Sequence, residues 1–105
     1  MVYCTKVDVR KRLGEKVTAL TYDAEIDDCI EEADAEIDTQ LKPYTTVPLS
    51  SVPVRIKHIS ADLAAGIFRS RRSPDGLENK FWKSGQEKLA TYIKKTYAKG
   101  GLYKG

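Results

Sequence analysis

Residues 23–42 decide the fold of this chain, and they read DAEIDDCIEEADAEIDTQLK. Apolar side chains recur at spacings of four, three, four and four, at Ile26, Ile30, Ala33, Ile37 and Leu41. This is the period of one face of an α-helix. We therefore predict a long helix that is capped by Thr21 or Asp23 and runs to about Lys42. Pro43 cannot continue the helix and disfavours helical backbone at Lys42.

The same segment is strongly acidic. Residues 23–41 carry nine acidic residues and no basic one, whereas residues 1–22 have a net charge of +3 and residues 42–105 a net charge of +9. Like charges four residues apart destabilise an isolated helix by about 0.2–0.5 kcal/mol per pair, and Asp27 with Glu31 is one such pair. The acidic helix therefore needs positive charge from elsewhere in the chain or from a neighbouring copy.

Two further helices flank this segment. Thr5 and Asp8 form a capping-box-like start for a short helix that Gly14 would end. A helix after the acidic one would be capped by Ser51, with Pro53 in its first turn. Its apolar stripe consists of Ile56, Ile59, Leu63 and Ile67.

A fourth helix would begin between Leu77 and Asn79 and end at Gly100-Gly101. Its apolar face carries Trp82, Leu89, Ile93 and Tyr97. Gly66 and Gly85 lie on the apolar stripes of the last two helices, where a glycine costs about 1 kcal/mol relative to alanine. We therefore predict that these two helices cross closely at the two glycines.

No segment alternates apolar and polar residues as a strand would, so we predict an all-α bundle of about four helices, two or three of them long. Residues 43–53 contain three prolines and no glycine, which favours an ordered, extended loop. The 105 residues fit one domain, predicted as residues 1–98, followed by a flexible tail at residues 99–105.

The inventory of reactive side chains argues against catalysis. Cys4 and Cys29 are too few for a disulfide framework, and with the single His58 they cannot complete a four-ligand zinc site, so we expect reduced thiols in a cytosolic setting. Asp28 stands where a calcium-binding loop starting at Asp23 would need glycine. We expect neither a metal nor a cofactor.

His58 is expected to form a surface pair with Asp62, one helical turn later. No serine or cysteine is spaced to act as its nucleophile, and no glycine-rich phosphate loop is present, so we do not expect an enzyme. The chain has no apolar run of the roughly 18 residues that cross a membrane, and its first twenty residues are charged rather than signal-like. We expect a soluble, unexported domain.

Basic side chains gather at the turn between the last two helices, at Arg69, Arg71, Arg72, Lys80 and Lys83. This corner could be solvated, contact an acidic protein, or follow DNA phosphates, although no base-reading pattern accompanies it. If copies stand side by side, it could meet the acidic face of the next copy in a contact that closes into a ring. The acidic residues predicted at that subunit interface are Asp27, Asp28, Glu31 and Glu32. A merely solvated acidic face remains the alternative.

The order of these features is itself informative. The chain begins Tyr3-x-Thr5-x-x-Asp8-Val9 with Leu13-Gly14, continues through Ala33-x-x-x-Ile37-Asp38-x-x-Leu41 and Tyr44-x-x-x-Pro48-Leu49-x-x-Val52-Pro53, and then has Ser60-Ala-Asp-Leu-Ala64 with an arginine-rich end. Over nearly its whole length it resembles the small head-tail connector proteins of tailed bacteriophages and prophages.

The resemblance implies a non-enzymatic adaptor of the virion neck, present in the host cytoplasm during assembly. Such adaptors form a ring, usually of twelve copies, between the portal of the filled head and the stopper or tail, and non-specific contact with DNA in the channel stays open. By resemblance, the loop residues Tyr44, Val47 and Leu49 would project into the assembly or its lumen. The tail residues Leu102, Tyr103 and Lys104 would dock on the portal or a neighbour. The alternative interpretation is a small helical DNA-binding or regulatory module.

Overall fold

The computed structural model describes residues 2–13, 22–72 and 80–98, which contain helices and no strand. The four α-helices are α1 (Lys6–Leu13), α2 (Asp23–Leu41), α3 (Val54–Arg72) and α4 (Lys80–Ile93), and a π-helical turn at Lys94–Ala98 follows α4. The all-α bundle that the sequence predicts is confirmed. Among the described residues, no helix combines the length and apolar character needed to cross a membrane.

Helix α1 begins with the predicted capping box. The Thr5 N–H donates to Asp8 Oδ2 at 2.9 Å, and the Asp8 N–H donates to Thr5 Oγ1 at 3.3 Å. These reciprocal bonds satisfy backbone donors that have no partner inside the helix. The predicted stop at Gly14 and the predicted cap at Thr21 lie outside the described residues.

Helix α2 buries all five residues of its predicted apolar stripe. The prediction that Pro43 forces Lys42 out of the helical region is wrong, because Lys42 has φ −49° and ψ −40°. Its N–H donates to the Asp38 carbonyl at 2.8 Å, and the Tyr44 N–H donates to the Leu41 carbonyl at 2.8 Å. These bonds complete the final turn and outweigh the preference of a residue before proline for extended backbone.

Helix α3 is the centre of the bundle and packs against α1, α2 and α4. Every residue from 59 to 66 is buried, so the helix is enclosed on all sides rather than along the predicted stripe alone. It begins at Val54, later than the predicted cap at Ser51. The Pro53 carbonyl accepts the first helical bonds, from the N–H groups of Ile56 at 3.0 Å and Lys57 at 3.1 Å.

Helices α3 and α4 approach closely at two glycines, as predicted. A Cβ atom at Gly66 would lie 2.6 Å from the Trp82 backbone nitrogen, and one at Gly85 would lie 2.6 Å from Leu63 Cδ2. Both distances are too short for a real Cβ contact. The helix axes could not come this close with any larger residue at Gly66, since the atom it would meet is backbone.

The proline-bounded loop packs on its own bundle. Leu49 is buried and its N–H donates to the Tyr3 hydroxyl at 2.8 Å, while Val47 is half-buried. The ring of Tyr44 stacks on that of Tyr97, with centroids 5.4 Å apart. Leu49 and Val47 therefore lie against the core of their own chain, because apolar contact removes them from water. Projection of the loop into an assembly stays a prediction. Tyr44 is 39% exposed.

Candidate subunit interface

The N-terminal segment and α2 enclose an open acidic groove of about 570 Å³. Its lining comes from α2, from Val2 and from Pro48. The α2 residues that line the acidic groove are Asp27, Asp28, Glu31, Asp34, Ala35 and Asp38. Three of the four acidic residues predicted at a subunit interface therefore lie along one concave surface, and the fourth, Glu32, does not.

The inner wall of the acidic groove is a buried hydrogen-bond network around Asp34. The Tyr3 N–H donates to Asp34 Oδ2 at 2.9 Å, and the Ser60 hydroxyl donates to Asp34 Oδ1 at 2.7 Å. Burial raises the pKa of Asp34 above its ordinary value of 3.8, and the nearby Asp38 carboxylate raises it further. Because this carboxylate faces inward, it holds the N-terminal segment against α2 and α3.

Tyr3 extends the network to the proline loop. Its hydroxyl donates to Asp38 Oδ1 and accepts the Leu49 N–H. Burial and the bond to Asp38 raise the pKa of Tyr3 to about 12, so the phenol stays protonated and remains a donor. Tyr3 therefore fixes the relative positions of α2 and the loop, which together shape the acidic groove.

The outer rim of the acidic groove consists of Asp28 and Glu31, which we call the acidic ridge. Both side chains are exposed, and neither forms an ion pair with another residue in the described part of the chain. Asp27 differs, because its Oδ2 lies 3.2 Å from Lys6 Nζ. Among the described residues, no ion pair relieves the like-charge repulsion of the acidic ridge.

The other edge of α2 is neutralised within the chain. Arg72 binds Glu25 through both carboxylate oxygens at 2.8 and 2.6 Å, and Arg71 binds Glu32. Hydrogen bonding from Arg72 lowers the pKa of Glu25. The Arg72 guanidinium also lies 3.8 Å from the centroid of the Phe68 ring. Arg71, Arg72 and Glu32, which the sequence predicted at a subunit interface, therefore already have partners in their own chain, because the last turn of α3 lies beside the first turns of α2.

The remaining predicted basic residues lie where α3 ends and α4 begins. The Arg69 guanidinium lies 5.3 Å from the centroid of the Phe81 ring, a cation–π contact. Lys80 and Lys83 are exposed and form no ion pair with any residue that the structure describes. These two lysines are the members of the predicted basic corner that stay available for a neighbour.

A second charged cluster surrounds Asp62, which is buried in α3. Asp62 accepts bonds from Arg12 Nε at 2.6 Å, from Lys88 Nζ at 2.9 Å and from Ser84 Oγ at 3.3 Å. Burial alone would raise the pKa of Asp62, but the bonds from Arg12 and Lys88 outweigh it and lower the pKa. The Asp62 cluster therefore ties α1, α3 and α4 together with matched charges.

The predicted surface pair between His58 and Asp62 is wrong. The Asp62 carboxylate is turned into the bundle, where it binds Arg12, and Arg12 Nη2 lies 3.3 Å from His58 Nδ1. Neither Asp34 nor Asp62 was predicted from the sequence to be a buried acid. The signal for Asp62 was its position inside a run of small and apolar residues in α3.

Cys4 and Cys29 are buried free thiols, and burial raises the pKa of each to about 11. Thiols with so high a pKa are poor nucleophiles at neutral pH. Within residues 2–13, 22–72 and 80–98, no group of three or more His, Cys, Asp or Glu side chains could hold a metal ion. The predicted docking residues Leu102, Tyr103 and Lys104 lie outside the described residues.

The sequence that builds these two clusters matches a known phage family. Residues 3–94 match the family model described as Bacteriophage Mu, Gp36. The chain belongs to this family. It is therefore a phage protein, which confirms that part of the resemblance drawn from the sequence. The match to Bacteriophage Mu, Gp36 spans all four α-helices, including the Asp62 cluster and all residues of the acidic groove except Val2. No curated protein and no solved structure matches the chain.

Proposed function

We propose that this phage protein is a non-enzymatic structural adaptor of the virion neck. Copies of it form a ring that joins the portal of the DNA-filled head to the stopper or tail. The protein is made in the host cytoplasm and ends in the neck of the virion. In this role the protein acts by binding neighbouring molecules through its surfaces and not by catalysis.

The observation that carries this proposal is the acidic ridge. Asp28 and Glu31 have exposed carboxylates and no ion-pair partner among the described residues, although the chain neutralises Glu25 and Glu32 on the same helix. A helix that keeps unrelieved like charges on one edge gains stability when a basic surface of another molecule covers that edge.

The layout of the bundle favours a head-to-tail contact between copies. Helices α2 and α4 each pack mainly on α3, so the face of α2 that points away from α3 and the face of α4 that points away from α3 are separate surfaces. The bundle is also flat, with extents of 47 × 29 × 17 Å. When one side is acidic and another side is basic, each copy can contact two neighbours through unlike surfaces, and repetition of that contact closes a ring.

The alternative of a DNA-binding module loses support from the ion pairs of α3. Arg71 and Arg72 would have to leave Glu32 and Glu25 to contact phosphates. A protein that binds DNA through phosphates loses affinity steeply as salt rises. An electrophoretic shift at low salt that survives competitor DNA would support that alternative against the adaptor.

The test of the proposed function is reconstitution with the cognate portal. The purified chain is expected to be a monomer or weak oligomer alone, and to add a ring of density below the portal when the two are mixed and imaged by electron microscopy. Unchanged portal particles at saturating concentrations of the chain would contradict the proposed function.

A further inference from the structure

A second groove lies between α3 and α4 and has the opposite charge to the acidic groove. It has a volume of about 340 Å³. We call it the basic groove. Its lining consists of Arg55, His58, Ile59, Glu87, Lys88 and Thr91. Three of these six residues are basic or can carry a positive charge, and one is acidic.

Two of the three donors of the basic groove, His58 and Lys88, are held in place by the Asp62 cluster. An arginine can only donate, so the bond from Arg12 Nη2 requires His58 Nδ1 to accept. The proton of a neutral His58 ring is therefore on Nε2, which remains free to donate. Lys88 is positioned by its bond to Asp62 at 2.9 Å. Arg55 is exposed and forms no ion pair with the residues that the structure describes.

The spacing of these groups matches that of the acidic ridge. Arg55 and His58 are three residues apart on α3, and Asp28 and Glu31 are three residues apart on α2. Residues at this spacing lie about 5–6 Å apart on one face of a helix. Ala35 is exposed beside the acidic ridge, and Ile59 provides apolar surface in the basic groove. One helix edge can thus lie in a groove between two helices, with the Arg55 charge and the His58 Nε2–H donor in register with the two carboxylates of the acidic ridge.

We propose that the basic groove of one copy receives the acidic ridge of the next copy. Glu31 and Asp28 of one protomer pair with Arg55 and His58 of its neighbour, and Lys88 adds a third donor. This inference rests on the proposed function and deepens it, because it names the two surfaces of the ring contact. It also replaces the basic corner at Lys80 and Lys83 as the receiving surface.

The test uses paired charge reversals in the full chain, assembled on the cognate portal and counted by electron microscopy. The acid variant carries Asp28→Arg and Glu31→Arg, and the base variant carries Arg55→Glu and His58→Glu. Like charges facing each other across an interface cost several kcal/mol, so each variant should need more than about tenfold more protein for half-maximal ring formation. A chain that carries all four substitutions should return to within about threefold of the parent.

A matched control reverses two exposed lysines outside the basic groove. The chain with Lys80→Glu and Lys83→Glu should assemble like the parent. If that control fails to assemble while the base variant assembles normally, the ring stands and the proposed pairing is overturned. If the parent itself forms no ring on the portal, the proposed function fails together with this inference.

All six substituted positions are exposed, so each variant should fold like the parent. Thermal denaturation of each variant checks this. A variant that melts below the parent is replaced by its milder form, Glu31→Gln for the acid side and Arg55→Gln for the base side. Each mild form should also raise the protein concentration needed for half-maximal ring formation, by less than the charge reversal does. Normal assembly of both mild forms at every concentration would also overturn the pairing.

Discussion

Asp62 and the acidic ridge show two ways in which this chain handles carboxylates. Asp62 is buried, and it is surrounded by Arg12, Lys88 and Ser84. The acidic ridge is exposed and has no ion-pair partner within the described residues. A carboxylate with matched partners connects helices within one copy, whereas carboxylates without partners are free to connect copies. The difference separates the charges that stabilise the fold from those that we propose for assembly.

The largest effect should come from a buried carboxylate that lacks such partners. Leu63→Asp places an acid one position after Asp62, at a site that is 0% exposed and enclosed by apolar atoms. An unpaired buried charge, together with the lost leucine, should cost more than about 4 kcal/mol and unfold the domain. Ile30→Asp on α2 should act in the same way. Circular dichroism melts of both variants are compared with that of Val54→Asp, an exposed control. If either buried-site variant melts like the parent, the assignment of Leu63 or Ile30 to the buried face of its helix is wrong.

The second largest effect should come from removal of the Asp62 charge itself. Asp62→Asn should destabilise the domain by about 2–3 kcal/mol at neutral pH, because it weakens two charge-assisted bonds. The pKa of folded Asp62 lies below its ordinary value of 3.8, so its contribution is present above that pH and is lost as the pH falls below it. The difference between parent and variant in urea denaturation should therefore shrink at acidic pH.

Asp34→Asn is the matched contrast to Asp62→Asn. The pKa of folded Asp34 is raised, so its contribution is present below the ordinary value of 3.8 and is lost as the pH rises through the folded pKa. Relative to its own asparagine variant, the parent should become more stable as the pH falls, opposite to the trend at Asp62. Parallel trends at the two sites would contradict the distinction between them.

A smaller loss of stability should follow when α3 and α4 are pushed apart. Their separation would weaken the bonds that Lys88 and Ser84 on α4 donate to Asp62 on α3. Gly66→Ala places a Cβ 2.6 Å from backbone at Trp82, which cannot yield, whereas Gly85→Ala meets mainly the Leu63 side chain, 2.6 Å from Cδ2 and 2.8 Å from Cγ, with the Leu63 backbone nitrogen farther away at 3.2 Å. We expect Gly66→Ala to cost about 2 kcal/mol and Gly85→Ala about 1 kcal/mol or less. Denaturant unfolding checks the order, with Ala90→Gly on the exposed face of α4 as the reference for helix propensity. Equal stabilities of the two alanine variants would show that the crossing is looser than described.

The smallest effects should differ in sign between the two edges of α2. Glu25→Gln removes a bidentate pair with Arg72 and should lower stability by about 0.5 kcal/mol. Glu31→Gln removes repulsion from Asp27 and should raise stability by about 0.2–0.5 kcal/mol. Differential scanning calorimetry at low salt resolves the two signs. A loss of stability in Glu31→Gln would mean that the acidic ridge has a stabilising partner in its own chain.

The helices were predictable because their signals are local. The apolar period of α2, the capping box at Thr5 and the glycine pair of the α3–α4 crossing are all short-range patterns. The enclosure of α3 was not predictable in the same way, because Asp62 becomes buried only when α1 and α4 bring Arg12 and Lys88 to it. From sequence alone, a charged residue on a helix is predicted to be exposed to solvent, because the distant residues that could pair with it are not known.

The interface was predictable as a set of charges but not as an arrangement. The sequence marks α2 as acidic and the end of α3 as basic, and it cannot show which pairs form within one copy. The structure assigns Glu25 and Glu32 to Arg72 and Arg71 and leaves Asp28 and Glu31 free of ion pairs among the described residues. Charge reversal at Glu32 would therefore disturb the fold as well as assembly. For this reason, a test of assembly should substitute Asp28 together with Glu31 and leave Glu32 unchanged.

The most direct test measures whether assembly covers the acidic ridge. Carbodiimide coupling of glycine ethyl ester to carboxylates, read by peptide mass spectrometry, compares the free chain with the ring formed on the portal. Glu25, which is paired with Arg72 in the free chain, serves as the internal reference. Asp28 and Glu31 should react readily in the free chain and be protected in the ring, while the labelling of Glu25 should change little. Equal labelling of Asp28 and Glu31 in both states would contradict this prediction.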